Sequence, residues 1–212
     1  FGDFAKLIAP ERIIFCEGDS KGRKYKDFDA QIYAKIFSSK YPTTSFVSIG
    51  SCADIENPDN VSMQIISKVM HNSEIVKFVD RDDKSVEEIA ECHTKQIKVL
   101  KRRHIESYIL DDKIITKLCN NIKKKKKIAE CIAAKTAKIT ASTARGNAVD
   151  DIKSASGEIY VELKRILNLT QCGNTKDAFF RDTLVPLITE ETSVFKELEQ
   201  EIIGIELKRR QS

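Results

Sequence analysis

Arg12-Ile13-Ile14-Phe15-Cys16-Glu17-Gly18-Asp19-Ser20 decides the fold. The first five residues read as a strand, Arg12 followed by an apolar run with β-branched members, and the run stops abruptly at Glu17-Gly18. A short continuous run of this kind, bounded by turn residues, is the pattern of a strand buried on both faces in a parallel sheet. Downstream of a basic, Gly-containing loop (Lys21 to Lys26), Asp27-Phe28-Asp29 opens a helix whose apolar positions Ile32, Tyr33, Ile36 and Phe37 recur at 3.6-residue spacing. Acidic residues in its first turn suit the helix dipole.

The same alternation continues outward. Ser45-Phe46-Val47-Ser48-Ile49 reads as a second strand ending at Gly50-Ser51, and a helix follows from about Asn60 to Met70. Ile75-Val76-Lys77-Phe78-Val79 is a third strand, which delivers Asp80-Arg81-Asp82-Asp83, and Ile97-Lys98-Val99-Leu100 is a short, basic fourth. Strands alternating with helices predict an α/β fold with a mainly parallel sheet. From Glu106 onward the strand signal vanishes, and helices are expected over about 105–119, 122–143, 148–168, 176–188 and 191–203. The expected organisation is an α/β domain over residues 1–110 followed by a helical extension over residues 111–212, packed on it.

Composition narrows the function classes. There is no apolar run long enough to span a bilayer and no secretory leader, so the chain reads as cytoplasmic, with no membrane partner. The chain opens at Phe1 and runs straight into patterned sequence, which reads as a piece of a longer polypeptide. Six scattered cysteines and three histidines form no zinc-type spacing, so any metal is expected on carboxylates, which suit Mg²⁺ or Mn²⁺. No phosphate-binding loop of the G-x-x-x-x-G-K-[ST] type is present.

Between Lys95 and Arg145 fifteen Lys/Arg face four Asp/Glu, a local excess of 15 − 4 = +11. The lysine run Lys123, Lys124, Lys125, Lys126 and Lys127 is its densest part and the candidate nucleic-acid contact, with a solvated helix face as the plainer reading. With almost no aromatic residues nearby, binding there would go through phosphates and depend on salt.

In an open parallel sheet, ligands bind beyond the carboxyl ends of the strands. Glu17 falls there after the first strand, and Asp80 and Asp82 after the third. Two residues apart on an extended segment, Asp80 and Asp82 are expected on one side, facing the same cation. Asp83 reads better as a helix cap before Ser85, which with Glu88 forms a capping box. His104 reads as a phosphate or solvent contact rather than a catalytic group, and Phe179 and Phe180 as core.

An apolar strand ending in Glu-Gly and a later one ending in Asp-x-Asp resemble the TOPRIM domain of topoisomerases, primases and overcoming-lysogenisation-defect nucleases, over about the first half of the chain. Within it, Arg102-Arg103-His104-Ile105-Glu106-Ser107-Tyr108-Ile109-Leu110 resembles a stretch that follows the Asp-x-Asp strand in the nuclease modules, and Gly173-Asn174-Thr175-Lys176-Asp177 resembles their C-terminal Gly-x-x-Lys-Asp segment. The resemblance implies Glu106 as an additional acid of the site and Lys176 as a contact to the scissile phosphate. It also implies a second acid soon after Glu-Gly. Position 21 is Lys21 here, so Asp29 is aligned with that acid, Asp19 and Asp27 remaining alternatives.

The function implied is a Mg²⁺- or Mn²⁺-dependent endonuclease acting on DNA or structured, tRNA-like RNA. The family likeness adds an ABC-type ATPase domain or subunit as controlling partner, homo-oligomers formed through that ATPase, and a role in anti-phage defence. Catalysis would rest on Glu17, Asp80, Asp82, Glu106 and Lys176, with Glu17, Asp29, Asp80 and Asp82 around the metal. The competing reading is a non-catalytic nucleic-acid-binding or partner-docking module.

Overall fold

The computed structural model describes residues 9–18 and 27–204; Phe1 to Phe4, Asp19 and the basic loop Lys21 to Lys26 lie outside the described residues. Four strands form one all-parallel sheet: β1 (Arg12–Cys16), β2 (Thr44–Ser48), β3 (Glu74–Val79) and β4 (Ile97–Val99), in the order β2-β1-β3-β4. The sheet is Rossmann-like, and each strand lies within a residue of the run that predicts it. The order reverses direction between β1 and β3, whose carboxyl ends therefore border the crevice where such sheets bind ligands.

Side chains alternate across β1. Ile14 and Cys16 join a core with Ile32, Tyr33 and Phe37 of α1 (Phe28–Phe37), whereas Ile13 and Phe15 pack on Met63 from the opposite face. That second face carries α2 (Cys52–Glu56), α3 (Val61–Val69) and α4 (Val86–Thr94). Both sides of the sheet are thus covered, as the apolar run of β1 requires.

The remaining helices are α5 (Glu106–Ile109), α6 (Asp112–Asn121), α7 (Ile128–Ala144), α8 (Ile152–Ile166), α9 (Lys176–Phe179) and α10 (Ser193–Leu198). The expected helix over 105–119 is broken by Asp111, whose side chain caps α6 at Lys113 N–H (2.9 Å). The one expected over 176–188 is a short α-turn, then π-helical over Phe180–Leu184 and 3₁₀ over Val185–Leu187, where Pro186 cannot donate to the preceding turn. The lysine run is a 3₁₀ turn (Lys125–Lys127) ahead of α7. One continuous cluster of buried side chains runs from Ile14 and Phe78 of the sheet through Tyr108 and Ile159 to Phe180, Phe195 and Leu198. Phe179 and Phe180 are core, as their spacing predicts.

The described cysteines are all free, and among the described residues no helix is long and apolar enough to cross a membrane.

Candidate active site at the carboxyl edge of the sheet

Glu17 leaves β1 where two glycines hold the chain. Gly18 and Gly50 exchange both backbone hydrogen bonds (Gly18 N–H to Gly50 O, 2.8 Å; Gly50 N–H to Gly18 O, 2.9 Å), tying the Glu17 turn to the end of β2. A Cβ on Gly18 would collide with the Ser48 side chain, and Gly50 has φ +96°, so the Glu-Gly pair is a steric requirement of this approach. From there Glu17 Oε1 accepts the backbone N–H of Asp80 at 2.9 Å, bridging the β1 and β3 ends.

Asp80 is only 7% exposed. Burial pushes its carboxyl well above the usual carboxylate range, and the neighbouring charges of Asp29, Glu17 and Glu106 push the same way, against Lys153. Glu17 is also raised, by burial and by Asp82, against the Asp80 N–H bond, Lys84 and Lys153. Glu106, at the start of α5, is 4% exposed, and its Oε2 is buried with no hydrogen-bond partner. Asp29 lies in the first turn of α1, and its charge raises the pKa of both Asp80 and Cys16. The sheet edge thus assembles Glu17, Asp29, Asp80 and Glu106, from four separate elements.

Asp82 departs from the extended geometry expected of it. The strand ends at Val79, and Asp82 sits in a turn with φ +46°, a left-handed conformation that aspartate tolerates. Its carboxylate is turned to His104 (Oδ1 to Nε2, 2.9 Å) while still acting on Glu17. His104 itself is buried, contrary to the solvent-facing reading. Burial and Lys153 hold its pKa below the usual value. Asp83 pairs with Arg103, and the cap of α4 is the Ser85–Glu88 box.

Lys176 begins α9 and points at the cluster, its Nζ 3.9 Å from Glu106 Oε1 and 3.4 Å from Ser156 Oγ. A second cation, Lys153 at the start of α8, was not singled out by sequence. It is exposed as a residue, yet Glu106, Asp80, Asp29 and Asp82 outweigh the burial that opposes its charge and raise its pKa. No motif marks it; only the return of α8 over the sheet edge brings it to the acids.

The donor set is all oxygen and formally anionic, which fits a hard divalent cation, and the orphaned Oε2 of Glu106 is a buried acceptor in want of one. As the side chains stand, no three or more His, Cys, Asp or Glu among the described residues are gathered closely enough to ligate a single ion.

The lysine run lies elsewhere. Lys124 Nζ bonds to the carbonyl of Leu167, beyond the far end of α8. From Lys153 to Leu167 is fourteen residues, about 21 Å at helical rise. Lys123, Lys125, Lys126 and Lys127 are exposed there, Lys127 pairing with Glu130. Much of the remaining basic excess is neutralised locally: Lys135 by Asp112, Lys138 by Glu158 and Glu162, and Arg145 by Glu158.

No family model, no curated protein and no solved structure matches this chain.

Proposed function

We propose that the chain is a TOPRIM-type, divalent-metal-dependent endonuclease module hydrolysing phosphodiesters in DNA or structured RNA. The observation that carries this reading is the gathering of Glu17, Asp29, Asp80 and Glu106 at the switch point of a parallel sheet, two of them buried and one with an orphaned oxygen. Buried carboxylates that repel one another hold protons or a cation, and a site that raises carboxyl pKa values in a crevice is a candidate for chemistry.

Mg²⁺ or Mn²⁺ bound there would supply Lewis-acid charge to the phosphodiester and to the attacking water. Glu17 and Asp80, joined by the Asp80 N–H bond, would hold the ion, together with Asp29 and Asp82. Glu106 is placed to hold or orient a water, and Lys176, 3.9 Å from it, to neutralise a phosphate oxygen. A duplex laid from the cluster toward the Lys123–Lys127 turn would cover about six base pairs at 3.4 Å each. Control by an ABC-type ATPase domain or subunit, in anti-phage defence, follows from the family likeness.

A second reading, a non-catalytic binding module, has one observation in its favour: Lys153 already supplies a positive charge to the acids. The test is cleavage of plasmid DNA and of a tRNA pool with Mg²⁺ or Mn²⁺, beside Glu17→Ala and Asp80→Ala. Cleavage lost in both folded variants supports the nuclease. Binding to either polymer with no cleavage by wild-type full-length protein, ATPase included, supports the module.

A further inference from the structure

Arg81, between Asp80 and Asp82, and Arg103 both pair with Asp150. They line a cavity of about 540 Å³ that also takes in Lys101, Arg102 and Ser107 and the carboxylates Asp111, Asp112 and Asp150. Both guanidiniums hold one carboxylate from two sides: Arg81 Nη2 pairs with Asp150 Oδ2, and Arg103 Nη1 lies 3.3 Å from Asp150 Oδ1. Asp150 is 46% exposed, in the turn between α7 and α8. That turn contains Gly146, at φ +97° with open space around its Cβ position.

The clamp is more strongly built than its occupant. Arg103 is only 9% exposed and Ser107 only 6%, yet Arg103 Nε, Arg81 Nε and Ser107 Oγ are buried without partners. Their neighbour Arg102 shows what a purely structural arginine looks like here: it is saturated by Glu197, Asp111 and the Ser107 carbonyl. Arg103 also pairs with Asp83, so the two guanidiniums meet two exposed carboxylates, Asp150 and Asp83, with three buried hydrogen-bonding atoms beside them, and arginine forks of this kind take a phosphate as readily as a carboxylate.

We propose that Arg81, Arg103 and Ser107 form a phosphate subsite next to the acid cluster, in which Asp150 holds the place of the phosphate until it is displaced. The identity of that phosphate rests on the nuclease reading: Arg81 lies between Asp80 and Asp82, so the subsite would take a phosphate flanking the scissile one. A free phosphate offers the same oxygens.

The test is binding by the full chain in EDTA, where no cleavage intervenes. Wild type, Asp150→Asn, Asp150→Ser, Ser107→Ala and Arg103→Lys are titrated with inorganic phosphate and with a fluorescein-labelled DNA strand of about twelve nucleotides, folding being checked by circular dichroism. Removing the place-holder is expected to tighten binding about tenfold in both Asp150 variants, the worth of one charge-assisted contact. Ser107→Ala and Arg103→Lys are expected to weaken it. Tightening toward the strand alone identifies a nucleic-acid phosphate, and tightening toward both probes or phosphate alone a general anion site; each supports the subsite. Unchanged or weaker binding by both folded Asp150 variants overturns it, as does an absence of binding to either probe. A nuclease that fails to cleave leaves this measurement untouched, so the two proposals fail separately.

Discussion

The carboxyl edge of the sheet and the α7–α8 hairpin are both rich in charge and treat it in opposite ways. At the sheet edge, Asp80 and Glu106 are buried among other acids, and Glu106 keeps an oxygen without a partner. Along the hairpin, Lys138 meets Glu158 and Glu162, and Arg145 meets Glu158, all partly exposed to water. Exposed pairs are screened and contribute little, whereas buried like charges are costly and persist where something else gains from them. Charge density along the chain therefore points to the hairpin, and charge environment points to the sheet edge.

That contrast can be broken most severely at the sheet edge. Replacing Glu17 or Asp80 by the isosteric amide should lower metal-dependent cleavage by roughly a thousandfold or more, because several kcal/mol of transition-state charge stabilisation are at stake. The assay is single-turnover nicking of plasmid. Survival of more than about a tenth of the activity in both would place the chemistry elsewhere.

Stability should move the other way. Burial raises the pKa of both Asp80 and Glu17, so the folded chain holds their protons more tightly than the unfolded chain does. Their contribution is then full below the ordinary carboxyl range and is lost as pH rises through the raised values. Asp80→Asn, permanently neutral, should melt higher than the metal-free wild type at neutral pH, by about 2–4 °C for each kcal/mol relieved. The gap should close as pH falls into the carboxyl range. A variant melting lower at neutral pH would mean that the buried charge is already compensated.

The hairpin responds more weakly. Changing Lys125, Lys126 and Lys127 together to glutamine should leave catalysis at saturating substrate intact and reduce the slope of log affinity against log salt by at most about 2.7, at about 0.9 per phosphate contact. An unchanged slope, measured by fluorescence anisotropy, would assign the run to solvent. Smallest of all, Glu158→Gln, which removes the partner of Arg145 and leaves Lys138 with Glu162, should cost less than about 1 kcal/mol in urea unfolding. A larger loss would show that the hairpin charges act as a network.

Sequence reading succeeds where the signal is local. The four strands follow from short apolar runs, and the Ser85–Glu88 box is visible because its parts are three residues apart. The Glu-Gly and Asp-x-Asp patterns place Glu17 and Asp80 at the carboxyl ends of β1 and β3, because strand direction carries them there. Periodicity does not show the five-residue α2, too short to display a face, or the break at Asp111. Nor does spacing reveal the turn of Asp82 toward His104, which depends on a left-handed residue. Lys153 and Asp150 were illegible for a different reason. Each meets partners about seventy residues away along the chain, brought close only by the path of the hairpin over the sheet edge.

The most direct measurement is calorimetric titration of the metal-free chain with Mn²⁺, beside Asp80→Asn. The account predicts saturable binding by wild type, with proton release because the raised carboxyls must ionise, and loss of that binding in the folded variant. Absence of saturable binding by wild type, or equal binding by Asp80→Asn, would contradict a carboxylate metal centre at the carboxyl edge of the sheet.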